Sequence, residues 1–206
     1  MAELFRIVTD ADREEAIRLA GSILRGGGLV AFPTETVYGV GVHMEDKVAV
    51  RRLYRLKGRA PDKPLTLHIG ELAALDRYGI QATPEEYRLI KYLWPGPLTL
   101  ILRNKKGEQM GVRWPRHELA CQIIRASGVP IGCPSANFSG ATPPTTADEV
   151  AKGLRDEIDL IVDGGETELR TSSTVVSAER GVLKILREGA ISKEALLSLW
   201  ENQNVS

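Results

Sequence analysis

Three glycines followed by four apolar residues, Gly26-Gly27-Gly28 and Leu29-Val30-Ala31-Phe32, do most to limit what this chain can fold into. Glycine readily supplies the left-handed turn that ends a helix. An unbroken apolar run of four reads as a buried strand. The run ends in Pro33-Thr34-Glu35-Thr36-Val37-Tyr38-Gly39, a polar strand end of the kind where ligands gather in α/β sheets. Such a segment is equally a polar turn in which Thr34 or Thr36 bonds its own backbone.

Other segments sort into similar units. Residues 4–8 read as a first short strand. Thr9 with Asp12 is a capping-box start, followed by Ala16, Leu19, Ala20, Ile23 and Leu24 at helical spacing. Asp46 caps a second helix through Leu56, and Thr83-Pro84-Glu85-Glu86 opens another with proline in its first turn. Shorter or later helices are expected over 71–78, 117–127, 147–154 (behind Thr145 or Thr146) and from Ser192 through Trp200. Strands are expected over 65–69, 98–102, 110–115, 129–133 and 160–163, with an antiparallel pair, 173–176 and 182–187, around Arg180-Gly181. Strands and helices mix without strict alternation. The expected architecture is one domain over 1–206, a mixed twisted sheet with helices packed on it.

Apolar residues make up 43% of the chain and charged residues 26%, ordinary values for a globular protein. Lys plus Arg and Asp plus Glu are 27 each, which argues against a broad basic nucleic-acid face. Cys121 and Cys133 have neither metal-ligand nor disulfide-framework spacing and read as buried, reduced thiols. The N-terminus carries early acidic residues rather than a signal peptide, and no apolar run suits a membrane span, so a cytoplasmic location is expected.

Positive charge gathers in Lys57-Gly58-Arg59-Ala60-Pro61-Asp62-Lys63, just before the apolar strand that carries His68. This is an anion clamp at a sheet edge or a solvated basic turn. Cations recur at other strand ends as Arg113 and Arg187, and hydroxyl or amide clusters as Thr34 and Thr36, Ser135 and Asn137, Ser172 and Ser173. Convergence of these ends would make an anion- or nucleotide-binding cleft. Walker A, GxGxxG, GxSxG and HExxH patterns are missing. Asp163 before two glycines reads as turn chemistry, and the scattered tryptophans as core.

Seven short motifs occur in order. They are Pro33 to Gly39, Lys57-x-Arg59 with Lys63-Pro64-Leu65 and His68, Trp94-Pro95-Gly96-Pro97-Leu98-Thr99, Val112-Arg113-x-Pro115, Pro134-Ser135-Ala136-Asn137-x-Ser139-Gly140, Ser173-Thr174-Val175-Val176, and Leu186-Arg187-x-Gly189. Together they resemble the YrdC/TsaC family of L-threonylcarbamoyladenylate synthases, of the short, single-domain type. The resemblance implies an α/β fold with a twisted open mixed β-sheet, flanking helices and a positively charged concave cleft. It implies a nucleotidyltransferase that forms threonylcarbamoyl-AMP and pyrophosphate from L-threonine, bicarbonate and ATP, with Mg²⁺ held by the ATP phosphates and no protein metal site. The product would feed threonylcarbamoyladenosine formation beside the tRNA anticodon, through downstream threonylcarbamoyl-transferase proteins.

By the same resemblance, Thr34, His68, Arg113, Cys133 and Ser173 belong to threonine binding, Cys133 through its backbone. Arg59, Lys63, Gln109, Ser135, Pro143 and Arg187 belong to ATP binding. Lys57, Arg59, Ser135 and Asn137 form the catalytic Lys-x-Arg and Ser-x-Asn signature. Gln109 stands where a small hydroxyl residue is usual, and Ala141-Thr142-Pro143-Pro144 departs from the usual Arg-Pro-Ser-Pro. Alternatives are a non-catalytic RNA-binding module, a carbamoyl-transfer relative, and a paralogue acting on another amino acid.

Overall fold

The computed structural model describes residues 2–58, 60, 63–154, 156–179 and 181–202. Local hydrogen bonds set the helix starts. The Thr9 hydroxyl accepts from Asp12 N and the Asp12 carboxylate accepts from Thr9 N, opening α1 (Asp10–Arg25). Asp46 caps α2 (Lys47–Lys57), and Gly58, in the left-handed region at φ 57°, ends it. A short α3 (Ala74–Arg77) follows, and Thr83 with Glu86 boxes the start of α4 (Pro84–Leu93). His117 accepts from Ala120 N at the start of α5 (Glu118–Ser127). Thr146 does the same for Glu149 N at α6 (Ala147–Leu154), while the Glu149 carboxylate takes the Thr145 and Thr146 amides. Ser192 accepts from Ala195 N at α7 (Lys193–Asn202). Among the described residues no helix is long and apolar enough to cross a membrane.

Among the described residues, eleven strands form one mixed sheet. In chain order they are β1 (Glu3–Arg6), β2 (Val30–Pro33), β3 (Tyr38–His43), β4 (Leu67–His68), β5 (Ile80–Gln81), β6 (Leu98–Asn104), β7 (Gln109–Arg113), β8 (Ile131–Gly132), β9 (Leu160–Asp163), β10 (Thr174–Glu179) and β11 (Val182–Arg187). Across the sheet they run β1-β9-β2-β3-β8-β4-β7-β6-β10-β11, with β5 added on β6. The sequence reading contains no counterpart of β3 or β5. In β3 two glycines interrupt the apolar pattern, yet the strand is buried and pairs with β2 and β8.

The two halves of the sheet are covered differently. In β2, Val30 and Phe32 face α1 and α5, while Ala31 and the preceding Leu29 pack with Leu53 of α2 and Val150 of α6. Helices thus cover both faces there, which is why the sequence reads as an unbroken apolar run. In the other half, Leu98, Leu100 and Leu102 of β6 join Val112 of β7, Leu89 of α4 and Leu196 of α7 in a core on one face. The alternate residues of these strands point to the opposite face, where the site lies.

Candidate active site

Register brings the site together. His68 pairs with Arg113 across β4 and β7, Leu67 pairs with Gly132 across β4 and β8, and Thr99 pairs with Val175 across β6 and β10. Cys133 N donates to Thr66 O at 3.1 Å, and Gly39 bridges Ser135. Because cross-strand partners share a face, Gly39, Thr66, His68, Thr99, Arg113, Cys133 and Val175 fall on one side of six neighbouring strands. They line a cavity of about 140 Å³ together with Thr34, Ser135, Ser173 and Arg187. All five residues assigned to threonine are among these. A larger cleft of about 780 Å³, around Glu86, Arg103 and Glu179, contains none of the assigned residues.

A directed chain of hydrogen bonds runs along one wall. Arg113 Nη2 donates to Thr36 Oγ1 at 2.9 Å, and Thr36 Oγ1 lies 2.8 Å from Thr34 Oγ1. Thr34 Oγ1 donates to Val37 O at 2.7 Å. A hydroxyl has one hydrogen, so Thr36 must be the donor to Thr34. Thr34 also accepts from the amides of Thr36 and Val37. Its hydroxyl therefore serves both the turn and the cavity wall. Arg113 is 5% exposed and its Nη2 also lies 2.9 Å from Glu35 Oε2.

On the opposite wall Arg187 Nη2 donates to Ser173 O at 2.7 Å and to Ser173 Oγ at 3.3 Å. Ser173 Oγ lies 2.9 Å from Thr99 Oγ1. Burial, and secondarily Arg113, hold the Arg187 guanidinium below its usual range. His68 Nδ1 faces Thr66 O at 3.2 Å. A carbonyl only accepts, so Nδ1 carries the hydrogen and Nε2 is left as an acceptor. Burial first, then Arg113, push the imidazole down to about 3, against the Thr66 bond. The ring is neutral near pH 7. Burial pushes the Cys133 thiol up to about 12, against Arg113 and Lys57. Both cysteines are free and buried.

Three of the residues assigned to catalysis, Lys57, Ser135 and Asn137, meet at one ammonium. Lys57 Nζ donates to Ser135 O and Asn137 O, each at 2.5 Å, and Lys57 O accepts from Ser139 N at 2.8 Å. Asn137 Nδ2 donates to Phe138 O and Ala141 O, leaving Oδ1 buried without a hydrogen-bond partner. Asn137 and Pro143 line a second cavity of about 450 Å³ with Phe138 and Thr145. The 135–137 loop thus lies between two cavities.

Two ATP-side assignments, Gln109 and Lys63, line neither cavity. Gln109 begins β7, roughly 13 Å along the strand from Arg113 at about 3.3 Å per residue, and its amide bonds Glu179. Lys63 is exposed, with its carbonyl accepting from Tyr54. Arg59 lies outside the described residues. Sequence reasoning missed Thr66 and Thr99, which enter only through strand pairing. It noted Glu35 only as part of the polar strand end and its motif, with no role of its own.

A family model described as Sua5/YciO/YrdC, telomere recombination, matches residues 22–189. A threonylcarbamoyl-AMP synthase of Pyrococcus abyssi is 39% identical over 92% of this chain, and one of Bacillus subtilis 41% identical over 92%. The chain spans 58% of the length of each. The crystal structure of P. abyssi Sua5 complexed with L-threonine superposes with a TM-score of 0.87 at 38% identity, covering 97% of this chain and 60% of that one. With the match running through most of the sheet and both walls of the cavity, the chain belongs to the Sua5/YciO/YrdC family.

Proposed function

We propose that this chain forms threonylcarbamoyl-AMP and pyrophosphate from L-threonine, bicarbonate and ATP, releasing water. One observation carries the reading: Thr34, His68, Arg113, Cys133 and Ser173 surround a single small cavity. The names of the two synthases and the threonine complex of the P. abyssi protein support it.

In this reading Arg113 takes the threonine carboxylate with its planar fork. The free Nε2 of neutral His68 accepts from the ammonium or hydroxyl. A group that protonates near pH 3 is a weak base at neutral pH, so His68 orients the amino acid rather than deprotonating it. The threonine nitrogen, once neutral, attacks bicarbonate, and water leaves to give a carbamate. A carbamate oxygen then attacks the α-phosphorus, and pyrophosphate departs. Carbamate and triphosphate are both anionic, so fixed cations must offset their repulsion. Arg187 stands at the cavity, and the Lys57 ammonium holds the 135–137 loop between the two spaces. Mg²⁺ would enter on the triphosphate as part of that substrate. The product would serve a transferase that modifies adenosine in tRNA.

Pyrophosphate release is the test, with ATP, Mg²⁺ and bicarbonate, with and without L-threonine, and L-serine as control. Release that requires threonine and bicarbonate, and is lost in Arg113→Ala, is expected. No release, with RNA retained at low salt, would overturn the reading in favour of a binding module.

A further inference from the structure

Glu35 lies between Thr34, which lines the cavity, and Thr36, which bonds Arg113, but it is not itself among the residues lining the cavity. It is 1% exposed, and neither carboxylate oxygen has a hydrogen-bond partner. What it has is charge: Arg113 Nη2 is 2.9 Å from its Oε2. A buried carboxylate without hydrogen bonds is costly, and losing its counter-ion would be costlier. The backbone nonetheless fixes it there, since the Glu35 carbonyl accepts from Leu169 N at 2.8 Å. Behind it stands His117, whose ring is committed to capping α5 through Nδ1.

Seen from Arg113, the arrangement has a direction. The Nη2 edge is occupied twice, by Glu35 on the buried side and by Thr36 at 2.9 Å. Nε is buried and has no hydrogen-bond partner. Thr36 alone is a neutral acceptor and a weaker hold than a carboxylate. A second cation, Arg187, shares the cavity and disfavours a bare Arg113 beside it.

We propose that Glu35 is a positioning residue: it anchors the Arg113 guanidinium from behind, so that the amino-acid carboxylate meets a pre-oriented, charge-compensated fork. This rests on the threonine reading above. Glu35 would touch no substrate atom and would act only through Arg113. Two effects oppose each other when its charge is removed. The fork loses its anchor, which weakens carboxylate binding, and the cavity loses a nearby negative charge, which strengthens it. The double occupancy of one Nη2 makes the anchor the larger effect.

The test compares wild type, Glu35→Gln and Glu35→Asp by calorimetric titration with L-threonine and by KM for threonine and for ATP in pyrophosphate release. In Glu35→Gln the threonine Kd is expected to rise about tenfold, from the loss of the buried counter-ion beside Arg113. KM for ATP should stay within about twofold, because a fault confined to one fork leaves the rest of the site in place. Glu35→Asp, with the charge drawn back by one methylene, should show a smaller loss. An unchanged or tighter threonine Kd, or equal rises in both KM values, would overturn the proposal. Should the glutamine variant fail to fold, Glu35→Asp decides, and a wild-type Kd there counts against the anchor. Absence of threonine binding by the wild type would sink the threonine reading instead. The anchor is then read from the guanidinium resonances of Arg113 in ¹⁵N-arginine protein. Restricted rotation in wild type that is released in the variant supports it, and identical spectra overturn it.

Discussion

The ammonium of Lys57 donates to the backbone carbonyl of Ser135 at 2.5 Å, across 78 residues of sequence. A second bond, to Asn137 O, makes this lysine a clamp on the loop between the two cavities. Lys57 is 3% exposed, so its loss strips the Asn137 carbonyl of its ammonium partner and leaves the Ser135 carbonyl only the Asn137 amide. Lys57→Met is expected to lower stability by about 3–6 kcal/mol, the scale of two hydrogen bonds to a charged donor, and to abolish pyrophosphate release. Urea unfolding measures the first effect. An unchanged midpoint with lost activity would mean the lysine acts on substrate alone.

Arg113→Lys keeps the charge but not the fork. A single ammonium cannot hold Glu35, Thr36 and a substrate carboxylate in the same geometry. Threonine binding is expected to weaken by about tenfold or more, with folding retained. Calorimetry with L-threonine checks this, and near-wild-type affinity would rule out a fork-specific role.

The depressed imidazole of His68 has a stability consequence. Its folded pKa of about 3 lies below the ordinary 6.5, so the unfolded chain binds the proton first as pH falls. The contribution is fully present above pH 6.5 and is lost on acidification toward pH 3. Its slope approaches about 1.4 kcal/mol per pH unit. His68→Asn keeps a donor near Nδ1 and removes the titration. Urea midpoints of the two proteins at pH 7 and pH 5 should diverge less steeply for the variant. Parallel curves would contradict a neutral buried His68.

Gly39 faces Cys133 so closely that an added methyl would collide with Sγ. Gly39→Ala is expected to cost about 1–3 kcal/mol through overpacking. Cys133→Ala in the same chain should return much of that loss, a coupling that a double-mutant cycle reads directly. Additive effects would show that the strand relieves the clash by shifting.

The raised Cys133 thiol, near 12, and the buried, raised Cys121 leave little thiolate at pH 8. Alkylation by iodoacetamide should therefore be slow in the folded protein and rapid in urea. Mass spectrometry of the two cysteine peptides gives the answer, and fast native labelling would refute their burial.

Much of the fold was legible because its signals are local. Thr9 with Asp12, Asp46, and Thr83 with Glu86 bond amides within three or four residues, so spacing alone marks the helix starts. The strands of the doubly covered half read clearly for the same reason, since burial on both faces leaves an unbroken apolar run. β3 escaped because its glycines erase that pattern, although the close approach of Cys133 is what requires one of them.

The candidate site was legible as a set of strand ends bearing cations and hydroxyls, and the ordered motifs pointed to the family. What residues alone determined was the local chemistry: caps, turns, apolar periodicity and the kinds of group available. Tertiary structure decided which of those groups meet. Thr99 reaches Ser173 across 74 residues, and Arg113 reaches Thr36 across 77. The same pairing carries Gln109 to the far end of β7, beside Glu179. It also sets Glu35 behind Arg113 rather than in the cavity. A strand alternates faces at every residue, so a side chain's destination depends on register with partners distant in sequence. That register is settled by packing the whole sheet against its helices, not by any stretch of chain on its own.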